Sequence, residues 1–190
     1  MGGVDKALVR LGGRPLLAHA IARLSTQCGA LALSANGDAA RFASFGLPVV
    51  ADDIPGFAVP LAGVLAGLDH AGRSGFHLVV TLPVDTPFAP HDLVARLEEA
   101  RSVTTADVSV ASSGGRRHYA IALWPVSMAG DMRRSLIQSG ERGVARFTAR
   151  YNTATVEWPT APFDPFLNVN APDDVVAANA ALRAASDVDG

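Results

Sequence analysis

The chain has 190 residues, of which 49% are hydrophobic and 18% are charged, and its formal net charge is -2. This size and composition predict one globular domain. The low net charge gives no excess of basic residues of the kind that binds nucleic acid. The single cysteine, Cys28, excludes an internal disulfide framework, and the sequence has neither an apolar run of membrane-spanning length nor a signal-peptide core. We therefore predict a cytoplasmic protein that binds neither nucleic acid nor a membrane.

The first half of the chain predicts alternating helices and strands. Apolar residues at helical spacing follow Pro15 and stop at Gly29. The elements predicted after them are a strand at 30–36, a short helix at 38–46 closed by Gly46, a strand at 47–53, a helix at 61–71, a strand at 77–85 and a helix at 90–102. Apolar strands separated by helices predict an α/β fold of three layers, in which a doubly wound, mostly parallel sheet is covered on both faces.

The second half departs from this alternation. Strands at 106–112 and 116–125 surround an "SGGRR" turn, which predicts a hairpin and therefore a mixed sheet. Ser127 is predicted to cap a helix that runs to Gly140. A helix at 143–151 and strands at 153–159 and 166–170 follow, and Asn170 with Pro172 is predicted to start the final helix.

Polar side chains follow most of the predicted strands. In open α/β sheets the ligand binds beyond the carboxyl ends of the strands. We therefore expect these side chains to converge along one edge of the sheet and to face a common ligand. The residues concerned are Ser34, Asn36, Asp52, Asp53, Asp85, Asn168 and Asn170.

Asp85 and Lys6 are the strongest candidates for contact with phosphates. Asp85 lies in "VVTLPVDTPF", after a buried strand and between two prolines, where a carboxylate would hold Mg²⁺ against substrate phosphates. The alternative is that Asp85 caps the following helix. Lys6 lies near Gly2 and Gly3, which allow close approach of a phosphate to an ammonium group. The alternative is a solvated surface lysine.

The stretch "VPLAGVLAGL" predicts a turn into a helix, flanked by Pro60 and Gly63. Its small residues would let a ligand approach the backbone, and its free N–H groups would meet a base edge or a phosphate. The alternative is ordinary close packing of a glycine-bearing helix on the sheet. The histidines show no metal-ligand spacing, and no Ser-His-Asp order indicates nucleophilic catalysis.

Five stretches of the sequence together resemble the molybdenum cofactor guanylyltransferases, and the resemblance covers nearly the whole chain. They are "MGGVDKALVRLGGRPLLAHAI", "PLAGVLAGL", "LPVDTPF", "GERGVARF" and "FLNVNAPDD". The resemblance implies a Rossmann-like nucleotidyltransferase fold that transfers GMP from GTP to the terminal phosphate of the molybdenum-molybdopterin cofactor. It implies a requirement for Mg²⁺, release of pyrophosphate, and cofactor-delivery or recipient molybdoenzymes as partner proteins.

The resemblance also implies roles for individual residues. Lys6 matches the phosphate-binding lysine and Asp85 the aspartate that binds both metal and nucleotide, so these two are the implied catalytic residues. Asn170 matches the second asparagine of "NVN" and is implied to bind the cofactor substrate. Further nucleotide contacts are implied for Ser34, Asn36, Asp52, Pro60, Leu61 and Gly63.

The sequence departs from the family pattern at three places. Ser34 stands where the family has the first asparagine of a "NAN"-like strand end, and His118 is followed by Tyr119 where the family commonly has a proline. The family begins with an apolar strand and a loop of the type "LAGGxSxRMG", and this sequence starts at the methionine of that loop. We therefore expect residues 1–190 to form one domain that is truncated at its N-terminus, with unpaired strand edges and weak GTP binding.

Two other functions are compatible with the residues. One is a cytidylyltransferase or a sugar-phosphate nucleotidylyltransferase of the same fold. The "PLAG" motif favours guanylyl transfer over this alternative. The other is a non-catalytic chain that only binds the cofactor or a partner protein, which the incomplete phosphate loop favours.

Overall fold

The computed structural model describes residues 5–54, 60–170, 174–176 and 178–179. The α-helices described are α1 (Leu16–Leu24), α2 (Pro60–Arg73), α3 (Leu93–Val103), α4 (Ala129–Gln138) and α5 (Val144–Thr148). The strands are β1 (Arg10–Leu11), β2 (Arg14–Pro15), β3 (Leu33–Ser34), β4 (Val49–Val50), β5 (Leu78–Thr81), β6 (Val108–Ser113), β7 (Arg116–Pro125) and β8 (Thr153–Trp158). Short 3-10 helices span Lys6–Leu8, Ala39–Phe45 and Val126–Met128.

The larger sheet contains four strands in the order β5, β7, β6, β8. β5 and β6 each pair antiparallel with β7, and β8 pairs parallel with β6. Within this sheet β5, β6 and β8 therefore run in one direction and β7 opposes them. The predicted hairpin produces this reversal through Gly114 and Gly115, whose φ angles of 55° and 73° suit a tight two-residue turn.

Helices cover both faces of the larger sheet, which confirms the three-layer α/β fold. On one face, Leu61 and Leu65 of α2 pack with Trp124 of β7 and with residues of α4 and α5. On the other face, Leu93 and Leu97 of α3 pack with residues of β7 and β8. Alternate side chains of β7 enter the two clusters because successive residues of a strand point to opposite faces.

The strands β3 and β4 form a parallel pair apart from the larger sheet, with Leu33 opposite Val49. Each has two residues, whereas the sequence predicts strands at 30–36 and 47–53. The pairing extends one residue further through the N–H of Ala35, which donates to the carbonyl of Val50 at 3.0 Å. Among the residues described, no strand pairs with the free edges of β3 and β5.

Several predicted elements differ from those observed. The segment 166–170 is not a strand, because the Val169 N–H donates to the carbonyl of Asp85 at 2.8 Å in place of a neighbouring strand. Ser127 caps no helix: it lies inside a 3-10 turn, and α4 begins two residues later without a side-chain cap. The helix α1 ends at Leu24, five residues before Gly29.

The remaining helix predictions hold in position and differ in detail. The predicted helix at 38–46 is a 3-10 helix, and Gly46 ends it with a φ of 68°, as predicted. Residues 174–176 and 178–179 of the predicted final helix are helical, and Pro172 lies outside the described residues. Within the described part of the chain, no helix has both the length and the apolarity needed to span a bilayer.

Candidate active site

Lys6, Asp85 and Asn170 form a polar cluster that joins three distant parts of the chain. The Lys6 ammonium donates to Asn170 Oδ1 at 2.5 Å and lies 3.6 Å from Asp85 Oδ2. The Lys6 side chain is 52% exposed, whereas that of Asp85 is 15% exposed. An exposed cation therefore lies over a carboxylate that water reaches only in part.

The turn that carries Lys6 is fixed by residues that the sequence analysis did not single out. Asp5 caps the 3-10 helix Lys6–Leu8 by accepting from the Ala7 N–H at 3.1 Å, and its other oxygen accepts from Arg41 Nε at 2.8 Å. Arg41 also donates to the carbonyl of Asn36 at 2.7 Å. The cap preference of aspartate could have indicated Asp5, but no local pattern indicates Arg41.

Asp85 lies in a turn four residues beyond β5, because the strand predicted at 77–85 ends at Thr81. Its backbone is fixed there by a hydrogen bond. Its carbonyl accepts from the Val169 N–H at 2.8 Å. It is not the cap of the following helix, because α3 begins at Leu93 with Asp92 at the N-cap position. The capping alternative for Asp85 is therefore wrong.

Asn36 and Asp52 form a reciprocal pair across the ends of β3 and β4. Asn36 Nδ2 donates to Asp52 Oδ2 at 2.9 Å, and the Asp52 N–H donates to Asn36 Oδ1 at 2.9 Å. The amide of Asn36 is thus committed to orienting Asp52. A carboxylate with one oxygen anchored in this way can present its other oxygen to hydrogen-bond donors of a ligand.

The first turn of α2 lies against this pair. A Cβ placed on Gly63 would lie 3.0 Å from Ser34 Oγ and 4.0 Å from Asp52 Oδ1, so the glycine permits close packing of helix and strand end. Pro60 and Gly63 line the cleft described below. Leu61 has a side chain that is fully buried in the core, so it can meet a ligand only through its backbone.

One cleft of about 1130 Å³ extends from the pair of Asn36 and Asp52 to Asp85, the member of the Lys6 cluster that lines it. Polar side chains of Ser34, Asn36, Asp52 and Asp85 line it at the strand ends. Most of the remaining lining is apolar and comes from α1, α2, β3 and β5, and it includes a few polar residues such as His70 and Glu98. The volume exceeds the range of about 300 to 1,000 Å³ that is usual for small-molecule sites, so the cleft has room for a ligand the size of a nucleotide.

Asp53 does not belong with these residues, although the sequence predicts that it converges with them. Arg133 Nη2 donates to Asp53 Oδ2 at 2.9 Å and also to Asp69. The Asp53 side chain is 59% exposed, so this ion pair contributes little to stability.

Asp85 fits a magnesium ion of the substrate-bound kind. The described residues contain no group of three or more metal-binding side chains. Mg²⁺ commonly uses one or two carboxylates and completes its shell with water and substrate phosphates. A single carboxylate in a nucleotide-sized cleft is compatible with this mode and not with a closed protein site.

Three of the five histidines have side-chain hydrogen bonds to nearby residues. His118 Nε2 lies 2.8 Å from Ser113 Oγ, His19 Nε2 lies 2.9 Å from the carbonyl of Leu11, and His91 contacts Arg23. Ser113 also donates to Asp164 Oδ1 at 2.8 Å. Because its proton goes to the carboxylate, Ser113 is not a nucleophile activated by His118.

The sequence of the chain is similar to those of known proteins. The family model described as "MobA-like NTP transferase domain" matches residues 1–155. A molybdenum cofactor guanylyltransferase from Rhodopseudomonas palustris (strain BisB5) is 56% identical over 180 residues, which are 94% of this chain and 86% of that protein.

Solved structures share the fold. Molybdopterin-guanine dinucleotide biosynthesis protein A from Archaeoglobus fulgidus superposes with a TM-score of 0.74 at 22% identity, over 95% of this chain and 92% of that one. Rv0371C from Mycobacterium tuberculosis, solved in complex with manganese, superposes with a TM-score of 0.67 at 16% identity, over 92% and 91%.

Proposed function

Since the chain belongs to the molybdenum cofactor guanylyltransferase family and is a nucleotidyltransferase, we propose that it transfers GMP from GTP to the terminal phosphate of the molybdenum-molybdopterin cofactor. The products are the molybdopterin guanine dinucleotide cofactor and pyrophosphate. The observation that carries the proposal is the cluster of Lys6, Asp85 and Asn170 beside a nucleotide-sized cleft.

The reaction needs two anions to be brought together. A terminal phosphate oxygen of the acceptor attacks the α-phosphorus of GTP, and the bond from that phosphorus to the β-phosphate oxygen breaks. Catalysis of this step consists of positioning and of neutralising charge, without a nucleophilic side chain. Lys6 supplies a half-exposed cation 3.6 Å from Asp85, which lines the cleft. In this proposal it binds the phosphates and stabilises the leaving pyrophosphate.

Asp85 is the residue that holds Mg²⁺ in this proposal. When bound, the ion neutralises phosphate oxygens as a Lewis acid. Asp85 also keeps Lys6 near the reacting phosphates, since their charged atoms lie 3.6 Å apart. Asn170 Oδ1 accepts from the same ammonium at 2.5 Å, and in this proposal Asn170 also contacts the cofactor substrate.

Selectivity for guanine follows in this proposal from the carboxylate of Asp52. The outer edge of guanine presents two adjacent donors, N1–H and the amino group, which suit one carboxylate. Cytosine and adenine present only one donor there. Asn36 orients Asp52 through two hydrogen bonds of 2.9 Å, so a base that leaves the carboxylate unpaired is rejected at a cost of about 1 to 3 kcal/mol.

The wider setting of the reaction is also proposed from the sequence. We place the whole chain in one nucleotidyltransferase domain that acts in the cytoplasm. Cofactor-delivery proteins or recipient molybdoenzymes are its expected partners.

Pyrophosphate release separates the candidate functions. The protein is incubated with Mg²⁺ and either GTP, CTP or ATP, each with and without molybdenum-molybdopterin. Guanylyl transfer predicts release with GTP that depends on the acceptor. Faster release of pyrophosphate with CTP would show a cytidylyltransferase. If none of the three nucleotides gives pyrophosphate, the assignment of the acceptor is overturned.

A further inference from the structure

Ser113, His118 and Asp164, named here the Ser113 cluster, join three segments at the same edge of the sheet as Asp85. Ser113 is the last residue of β6, His118 lies on β7, and Asp164 follows β8. Ser113 Oγ lies 2.8 Å from both His118 Nε2 and Asp164 Oδ1. Ser113 is 3% exposed, so these hydrogen bonds are shielded from water.

The direction of each hydrogen bond follows from the number of protons. The Ser113 hydroxyl donates its one proton to Asp164, so His118 must donate to Ser113 through Nε2–H. Burial lowers the pKa of His118, while the charge of Asp164 raises it, and the lowering dominates. The imidazole is therefore neutral at pH 7, with its proton on Nε2.

Asp164 also fixes the path of the chain that follows it. Its Oδ1 accepts from the Phe166 N–H at 2.9 Å. The Phe166 ring is 1% exposed and packs against His118 and Trp158, with ring centroids 5.0 and 5.4 Å apart. One carboxylate oxygen thus ties the start of the segment 164–170 to the sheet.

The same segment ends in the candidate active site. The Val169 N–H donates to the carbonyl of Asp85 at 2.8 Å, and Asn170 Oδ1 accepts from Lys6 at 2.5 Å. The segment has no helix or strand of its own. Its position therefore depends on the hydrogen bonds of Asp164 at one end and on the contacts with Asp85 and Lys6 at the other.

We propose that the Ser113 cluster positions the segment 164–170, and through it Asn170 and Lys6, for nucleotidyl transfer. Ser113 and Asp164 are positioning residues, because they act through the segment and do not touch the reacting phosphates. This inference rests on the proposed function of Lys6 and Asp85. It predicts that loss of the cluster slows the chemical step more than it weakens GTP binding.

The test compares kcat and KM for GTP in variants of the cluster. Asp164→Ala removes the acceptor oxygen, whereas Asp164→Asn keeps a side-chain oxygen that can accept from both Ser113 and Phe166. We expect Asp164→Ala to lower kcat about tenfold, which is about 1.4 kcal/mol, with KM changed less than about twofold. Asp164→Asn should keep at least about half of the wild-type kcat.

Ser113→Ala and a matched control separate positioning from stability. Ser109 lies on the same strand, is fully buried, and donates to the carbonyl of Leu97 at 2.7 Å. Ser113→Ala should lower kcat as Asp164→Ala does, and Ser109→Ala should lower only the melting temperature. Equal kcat effects of Ser109→Ala and Ser113→Ala would overturn the proposal, as would wild-type kcat in Ser113→Ala. If Asp164→Ala does not fold, the comparison of Ser113→Ala with Ser109→Ala tests the proposal.

Backbone amide exchange tests the cluster without any assay of activity. Ser113→Ala should increase the exchange rate of the Val169 amide, whereas Ser109→Ala should not. An unchanged rate in Ser113→Ala would overturn the positioning role. If the wild-type protein transfers no nucleotide while the exchange rates change as expected, the proposed function fails and the positioning of the segment stands.

Discussion

Replacing Asp85 by asparagine removes a negative charge from the candidate active site without changing the size of the side chain. At 3.6 Å and an effective dielectric constant of about 20, the Coulomb attraction between Lys6 and Asp85 is about 4 to 5 kcal/mol. The Lys6 side chain is 52% exposed, so solvent reduces the net contribution to about 1 kcal/mol. We expect a loss of about that size in the free energy of unfolding.

The catalytic effect of Asp85→Asn should be larger than its effect on stability. Losing one preorganised charge stabiliser costs about 3 kcal/mol in the barrier, which lowers kcat/KM about 150-fold. Pyrophosphate release measures the rate and guanidinium unfolding the stability. Asp53→Asn is the matched control, because Asp53 is paired with Arg133 outside the cleft. Wild-type turnover in Asp85→Asn, or an equal loss in Asp53→Asn, would refute the reasoning.

Two further substitutions test packing and ionisation. Gly63→Ala should raise KM for GTP about fivefold, because its Cβ would lie 3.0 Å from Ser34 Oγ. Gly67→Ala is the control, since its Cβ meets its nearest neighbour at 4.0 Å. Equal KM values for the two variants would contradict this prediction. Burial and the hydrogen bond to Asp131 raise the pKa of Tyr151 to about 12, so the stability that Tyr151 contributes below pH 10 is lost as the pH rises to about 12. The free energy of unfolding of the wild type, measured with guanidinium, should exceed that of Tyr151→Phe by less and less as the pH rises from about 10 to about 12. A difference that stays constant over this pH range would contradict the prediction.

The hairpin and the helix positions were predictable because their determinants are local. Gly114 and Gly115 occupy the two positions of a tight turn that require positive φ. Helical spacing of apolar residues placed α2 and α3 within a few residues. The segment 166–170 was predicted wrongly because its alternating pattern is that of a strand, while its backbone hydrogen bond goes to Asp85.

The contacts of the candidate site could be predicted only in part. Their position shortly after an apolar strand identified Asp85 and Asp52, but the reciprocal hydrogen bonds of Asn36 and Asp52 depend on how β3 and β4 pair. Lys6 and Asn170 are separated by 164 positions in the chain, and no local pattern encodes their contact. The Ser113 cluster was missed for the same reason, because its members meet only when β6, β7 and the segment after β8 pack together.

The destination of the α-phosphate of GTP tests the central claim most directly. The protein is incubated with Mg²⁺, molybdenum-molybdopterin and GTP labelled at the α-phosphate, and in parallel with GTP labelled at the γ-phosphate. Guanylyl transfer predicts α-label in a dinucleotide product and γ-label in pyrophosphate. α-Label that remains in GTP or appears only as free GMP would contradict the account.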